Sequence, residues 1–409
     1  MNEKIIERKI CRICDSRDFA EVINLGLMPV SNAFLTEEEL NSKEETFPLA
    51  VHICKNCKSL QLKHLVSPKL IFENYHYATG ASRPLVEHFN GLAQEISKNY
   101  VQTPLDLVIE IGSNDGSLLS KIDKGRVLGI DPAENIASIA IEKGIPTKVG
   151  FFDSHFSKKL KDESGEAKVI VANNVMAHID DIKDVFKGVK NLLTEDGVFI
   201  FEVHWVGNLL TEGGFDQIYH EHIYYHSLHS LKILVNSLGM VIKDICSVPI
   251  HGESMRLYVG RSGKESDGVV KFLKREKENG LTEINTYMKF NKKVELLKRE
   301  ISELLKKIKS QGKKIIGYGA PAKGNTLLNY FEIGPSILDY IVDTTIYKQG
   351  LYTPGSHVLI VNPDILKKEI PDYALLLSWN YAQAILDKEK ELRAKGTKFI
   401  IPVPRVRVI

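Results

Sequence analysis

Leu105-Asp106-Leu107-Val108-Ile109-Glu110-Ile111-Gly112-Ser113-Asn114-Asp115-Gly116 begins as an apolar run of strand length and ends in two glycines bracketing three small polar residues. The run predicts a buried strand, and Ser117-Leu118-Leu119-Ser120-Lys121 after the glycines predicts a helix. Glycines at such a turn let a ligand approach the backbone, and free amides at a helix start attract negative groups. The next strand, Arg126-Val127-Leu128-Gly129-Ile130, ends at Asp131. An acid there is placed to bind two ribose hydroxyls, as in doubly wound nucleotide folds. Three residues separate Gly112 from Gly116, which departs from Gly-x-Gly-x-x-Gly and disfavours a dinucleotide. S-adenosylmethionine is the better fit, with Glu110, Gly112, Asn114, Gly116, Asp131 and Asn173 as its expected contacts. The competing reading is a strand-to-helix turn with no ligand.

Further strands at Lys168-Val169-Ile170-Val171-Ala172, running on into Asn173 to His178, and at 197–203 continue the alternation. A mostly parallel sheet of the α/β class follows. The chain has 409 residues, 43% of them hydrophobic, which is more than one core usually supports, so two or three domains are expected. Lys and Arg number 54 against 52 Asp and Glu, so a large basic excess for nucleic acid is missing. No run of eighteen apolar residues occurs, and Met1-Asn2-Glu3-Lys4 is polar. A soluble, cytoplasmic protein without membrane contact is expected.

Four of the five cysteines form two Cys-x-x-Cys pairs, Cys11 with Cys14 and Cys54 with Cys57. Two-residue spacers let both thiolates of a pair face one tetrahedral ion, and four soft sulfurs describe closed, structural zinc. The segment between the pairs is too short for a large core, so metal supplies its stability. Redox dithiols are the alternative. Cys246, isolated in an apolar run, is expected as a small buried thiol.

Tyr219-His220-Glu221-His222 and the following Ile223-Tyr224-Tyr225-His226 place three imidazoles, a carboxylate and three phenols in eight residues. A core has little use for such density, since each polar head needs a partner once water is excluded. Catalysis is the sharper reading and a wet irregular loop the blander one. Beyond it, residues 271–309 read as one long charged helix, with Leu281, Ile284, Met288, Val294, Leu297, Ile301 and Leu304 on its apolar face. Lys313-Lys314-Ile315-Ile316-Gly317-Tyr318-Gly319 then restarts a strand-turn-helix pattern, with strands near 338–341, 358–361, 373–377 and 398–401. Gly319, Lys323 and Asn325 at that helix start suit a diphosphate.

These motifs, in this order, resemble the sugar C-methyltransferases acting on nucleotide-linked keto-deoxysugars, and the likeness runs nearly end to end. It rests on the four paired cysteines, on Glu110 to Gly116, on Tyr219 to His222, and on Gly317-Tyr318-Gly319-Ala320-Pro321-Ala322-Lys323-Gly324-Asn325-Thr326. The resemblance implies a zinc-binding module at 1–72, a class I S-adenosylmethionine methyltransferase domain of Rossmann-like fold at 73–260, and a helical connector with a second Rossmann-like domain at 261–409. It implies methylation of a sugar carbon beside a ketone, commonly C3 of a thymidine-diphosphate 4-keto-6-deoxysugar, in branched deoxysugar biosynthesis.

The chemistry of the residues agrees, because such a carbon becomes nucleophilic only when a base removes its proton and the enolate is stabilised. His222 is the candidate base. Glu221 is expected to hold its ring or a ligand hydroxyl, and Tyr219 to meet the enolate oxygen or share the relay. His178 is a second contact for the sugar or enolate. Tyr75-His76-Tyr77 resembles a Tyr-x-Tyr segment of the family, with Tyr77 the catalytic and Tyr75 the substrate contact. His251-Gly252-Glu253-Ser254 departs from the family's His-Gly-Gly-Ser and leaves the backbone there open. An O-methyltransferase, or a zinc-ribbon binding protein with a degenerate methyltransferase fold, remain the alternatives, although keeping both Glu110 and Asp131 argues against degeneration. The expected partner is a nucleotide sugar, with the chain a monomer.

Overall fold

The structure, a computed structural model, describes residues 4–72, 79–81, 83–250 and 253–409. Tyr75, Tyr77, His251 and Gly252 lie outside the described residues.

Three principal sheets follow one another. The amino-terminal sheet is antiparallel, in the order Tyr224–Tyr225, Leu60–Leu62, Phe47–Cys54, Phe19–Met28. Its first strand comes from the middle of the chain, immediately after the Tyr219 to His222 run, so one sheet joins distant sequence. The central sheet has the order Val241–Val248, Ser254–Gly260, Leu193–His204, Ala167–Asn173, Leu107–Ile111, Arg126–Asp131, Thr147–Val149. Pairings from Leu193–His204 to Thr147–Val149 are parallel, while the two strands beyond it are antiparallel. The carboxy-terminal sheet runs Ile360–Val361, Ile341–Val342, Ile315–Tyr318, Tyr373–Leu376, Lys398–Ile401, Arg407–Val408, parallel except for the last pairing. The expected α/β class, with an alternating unit on either side of a charged helical connector, is what the chain forms.

Both faces of the central sheet are covered, which is why its strands read as continuous apolar runs. Val108, Val169, Val171, Val198 and Ile200 pack with Leu85, Phe89, Leu92 and Ile96 of the helix Arg83–Asn99. Opposite, Phe186 of the helix Ile182–Leu192 meets Phe199 and Phe201 edge-on at 5.4 and 5.7 Å.

Three sequence expectations change. The helix expected after Gly116 is a single 3-10 turn, Leu119–Lys121. Gly125, at φ +82°, turns the chain back into the next strand before a longer helix can form. The long connector is two helices, Asp267–Glu278 and Ile284–Ser310, broken at Gly280 (φ +70°), where an added Cβ would lie 2.6 Å from the Thr286 hydroxyl. The second helix buries Tyr287, Phe290, Val294, Leu297, Ile301, Leu305 and Ile308, so the aromatic pair sets the phase and Met288 is left exposed. Cys246 is exposed on the edge strand Val241–Val248 rather than buried.

The four paired cysteines converge, with all ligand sulfurs within 4.8 Å of one another and the closest pairs, Cys11 to Cys57 and Cys14 to Cys54, at 3.5 and 3.6 Å. Sulfurs about 2.3 Å from a tetrahedral ion stand about 3.8 Å apart, so the set fits zinc. The Ile13 amide (3.4 Å) and the Gln61 side-chain amide (3.3 Å) donate to Cys11 Sγ, and the Asn56 amide (3.4 Å) donates to Cys14 Sγ. Donors of this kind stabilise thiolates and orient them. Metal analysis of the purified protein should give one zinc per chain, and Cys54→Ser should lower the melting midpoint by about 10 °C or more. Unchanged melting in that variant would leave the four sulfurs without a structural role.

Candidate functional site

The strand Leu107–Ile111 is an inner strand of its sheet and delivers Glu110, 3% exposed, to the turn at its end. Gly112 has φ +67°, and a Cβ there would stand 2.3 Å from Val175 Cγ2, so only glycine lets the turn pack under the next strand's loop. Asn114 also adopts positive φ, +50°, which aims its amide at Asp131 Oδ2 (2.9 Å) while the Ala133 amide donates to Oδ1 (2.9 Å). Asp131 is thereby fixed at the strand end, as its spacing predicts. Gly116 closes the turn at φ +74°. Asn114 Oδ1 and Asp115 Oδ2 accept from the amides of Thr79 and Gly80, at 2.8 and 3.1 Å, which ties the segment before the Arg83–Asn99 helix to this turn.

A polar cradle surrounds it. Glu110 Oε2, Ser113 Oγ, both amide atoms of Asn173, and Asn174 Oδ1 are buried without a hydrogen-bond partner among the described residues. Native interiors leave few such atoms unpaired, so the cluster fits a ligand carrying both donors and acceptors. Burial raises the Glu110 carboxyl well above its ordinary value; the adjacent Asn173 side chain acts against this, while the Asp131 and Asp115 charges add to it. A cationic ligand would reverse that penalty. Glu110, Gly112, Asn114, Gly116, Asp131 and Asn173 therefore sit together. Sequence reading missed Asn174, whose positive φ (+57°) directly after a strand end is the conformational mark of the site.

From Asn173 the chain leads to the second cluster. The Ile223 amide donates to Ala177 O (2.7 Å), pinning the Tyr219 to His222 turn against the loop that leaves the central sheet. Within the turn, His222 Nδ1 lies 3.1 Å from Gln217 O, and Nε2 lies 2.7 Å from Tyr219 Oη. A carbonyl only accepts, so Nδ1 carries the proton and the Tyr219 hydroxyl donates to Nε2. His178 Nδ1 donates to Glu221 O (2.8 Å), and its ring centroid is 5.1 Å from that of His222. Burial lowers the His178 pKa, favouring a neutral ring. His204, unmarked in the sequence reading, has its centroid 5.6 Å from His222.

Of the two roles expected for Glu221, its carboxylate does not take the first, since it faces Asn32 and not the His222 ring. It is 5% exposed and accepts from the Asn32 amide (2.6 Å), a residue of the amino-terminal unit. Burial pushes its carboxyl up to about 7, against which Asn32 and Lys348 act. His220 and His226 are buried, and desolvation lowers both to about 4. His220 faces Phe47 O of the amino-terminal unit, and His226 stacks on its near neighbour Tyr224. Glu253 holds φ +77°, a left-handed conformation that glycine adopts freely, and Arg275 grips its carboxylate at 2.9 and 3.2 Å. That guanidinium keeps the Glu253 carboxyl down at about 2.

At the carboxy-terminal sheet, Gly319 (φ +84°) turns under Ser378, and Asp343 accepts from the amides of Ala320 (2.6 Å) and Thr345 (2.7 Å). A cleft of about 280 Å³ opens there, lined by Tyr318, Gly319, Asp343, Tyr381 and Lys388 among others. Lys323 does not line it; its ammonium lies 4.1 Å from the Trp379 ring centroid, and burial lowers it to about 8 despite the nearby Asp216 and Glu212 charges. Asn325 is 1% exposed and spends its amide on Ser31 O (2.7 Å), so it joins units instead of facing a ligand. Sequence spacing placed both at a helix start but gave no direction to their side chains.

Three family models match in chain order: "Putative zinc binding domain" over residues 11–72, "Methyltransferase domain" over 89–243, and "C-methyltransferase C-terminal domain" over 249–404. The chain is 35% identical to the C-methyltransferase NovU of Streptomyces niveus, over 98% of this chain and 96% of that one. Among solved structures, the magnesium protoporphyrin IX methyltransferase of Synechocystis is 14% identical, with TM-score 0.33, covering 47% of this chain and 89% of its own. An S-adenosylmethionine-dependent methyltransferase of Clostridium acetobutylicum is 15% identical, with TM-score 0.33, covering 48% and 96%. With its sequence aligned almost throughout to NovU, this chain belongs to the C-methyltransferase family: it is an S-adenosylmethionine-dependent enzyme with a zinc-binding module.

Proposed function

We propose that the enzyme methylates C3 of a nucleotide-linked 4-keto-6-deoxysugar, with thymidine diphosphate as the nucleotide, in the making of a branched deoxysugar. The observation that carries this reading is the Tyr219–His222 pair, whose imidazole is locked by Gln217 O in the tautomer that leaves Nε2 a proton acceptor. A proton on carbon beside a ketone is acidic enough for such a base once the enolate oxygen has a partner. His222 Nε2 takes the proton from the sugar carbon, leaving an imidazolium and an enolate, and the Tyr219 hydroxyl turns from Nε2 to donate to the enolate oxygen. His178, fixed through Nδ1, meets the sugar ring or enolate oxygen, and Glu221 receives a sugar hydroxyl. Tyr77 and Tyr75 are proposed contacts from outside the described residues.

S-adenosylmethionine, when bound, supplies a methyl whose bond to sulfur breaks as the new carbon–carbon bond forms. Glu110, Gly112, Asn114, Gly116, Asp131 and Asn173 would hold it, on the strength of the unpaired polar atoms around that turn. The zinc has no part in the proton transfer. The diphosphate belongs between the carboxy-terminal unit and the central one, at the Gly319 turn, with Lys323 adding positive charge from its place against Trp379 rather than from the cleft wall; Asn325 acts there only through the Ser31 loop. The division 1–72, 73–260 and 261–409 and a monomeric, cytoplasmic enzyme complete the proposal. No helix among the described residues is long and apolar enough to cross a membrane.

Incubation with S-adenosylmethionine and a thymidine-diphosphate 4-keto-6-deoxysugar in deuterated buffer should yield a carbon-bound methyl, read by mass and proton spectra. In His222→Asn, turnover and exchange of the sugar α-proton should fall together by about 100-fold or more while donor affinity persists. Full activity there removes His222 from the base role, and methyl appearing on oxygen sinks the C-methylation of this sugar. For the donor turn, Gly112→Ala forces a Cβ against Val175, and calorimetry should find S-adenosylmethionine affinity lower by about tenfold or more. Native affinity in that variant would place the donor elsewhere.

A further inference from the structure

We infer that Asn32, supplied by the zinc-binding module, is a positioning residue for sugar methylation: it fixes the direction and charge of the Glu221 carboxylate inside the catalytic turn. This rests on the reading of the site given above. The Asn32 side-chain amide donates to Glu221 Oε1 at 2.6 Å across 189 residues of sequence. Asn32 itself is exposed, whereas Glu221 is 5% exposed, so the buried carboxylate is reached from an open loop. An amide aimed at one oxygen leaves the other for a sugar hydroxyl and stabilises the ionised form.

The loop bearing Asn32 is not left to itself. Asn325 donates to Ser31 O (2.7 Å), and the Ser31 and Thr326 hydroxyls are 3.4 Å apart. Leu35 and Tyr352 exchange backbone hydrogen bonds of 3.0 and 2.8 Å. Lys348 donates to Ala320 O (2.8 Å) while its ammonium stands 4.9 Å from the Phe34 ring centroid. The carboxy-terminal unit thus holds an amino-terminal loop in the geometry that presents Asn32 to a central residue, the support that a precise site requires. The groups facing Glu221 are Asn32 from the amino-terminal unit, Lys348 from the carboxy-terminal one with Asp343 behind it, and His178 through the Glu221 carbonyl.

The sign follows from hydrogen bonding. Donation by Asn32 favours the carboxylate, so removing it raises the carboxyl above its value of about 7. Infrared titration of the full-length protein without sugar, with the Glu221 band assigned by its loss in Glu221→Gln, should show the midpoint rising in Asn32→Ala and rising further in Asn32→Asp. With sugar, kcat/KM of Asn32→Ala should fall by roughly tenfold at neutral pH, and the acid limb of its pH profile should move to higher pH. Both variants should keep their zinc and their affinity for S-adenosylmethionine. A fall in kcat with an unmoved infrared midpoint and an unmoved acid limb overturns the inference and leaves Asn32 a packing residue. A wild-type enzyme that methylates no sugar carbon counts against the proposed function, while the infrared titration still decides the Asn32 contact by itself.

Discussion

The pairing of Tyr224–Tyr225 with Leu60–Leu62 governs the site. A two-residue strand contributes little by itself, but here it continues a sheet whose other strands bury Ile23, Leu49, Val51, Ile53, Leu60 and Leu62. The turn before it, Tyr219 to His222, is held where it meets the strand by the Ile223 amide on Ala177 O. A polar segment that would otherwise be a mobile loop is caught between the zinc module and the central sheet. Preorganisation of this kind lets a Tyr–His pair keep a 2.7 Å geometry before any ligand arrives.

Burial then sets the charge states. Glu110, Glu221, Asp131 and Lys323 are all desolvated, and each is pushed toward its neutral form. Ionised groups persist in such places only where donors or opposite charges compensate. Asp131 has two backbone amides, Glu221 has Asn32 with Lys348 nearby, and Lys323 has an aromatic face with Asp216 and Glu212. Glu110 has the Asn173 side chain beside it but keeps one oxygen unpaired among the described residues. That electrostatic cost lies where a cationic donor is expected to bind.

The two α/β units use the same device twice. In each, a glycine of positive φ ends a strand, and the acid at the end of the neighbouring parallel strand accepts one amide from that turn and one from two residues beyond itself. Asp131 does this with Asn114 and Ala133, and Asp343 with Ala320 and Thr345. The repeated geometry fixes two strand-end clefts, but their surroundings differ. Unpaired polar atoms surround the first turn, while Tyr318, Tyr381 and Lys388 line the second cleft.

What the sequence by itself determined is local. Apolar runs of strand length, glycines where φ must be positive, an acid at a strand end, and cysteines two residues apart each act through neighbours in the chain, so Glu110, Gly112, Asp131 and the four cysteines were legible together with the α/β class. The break at Gly280 was hidden because a charged helical pattern continues on both sides of it, and the phase of the following helix was set by Tyr287 and Phe290 against other units. Side-chain direction lay beyond the sequence altogether. Whether Glu221 faced His222 or Asn32, and whether Asn325 faced a ligand or Ser31, depended on contacts between residues 189 and 294 positions apart. Such contacts exist only after segments far apart in the chain have been brought together by sheet pairing and packing, as Tyr224–Tyr225 is by joining the amino-terminal sheet.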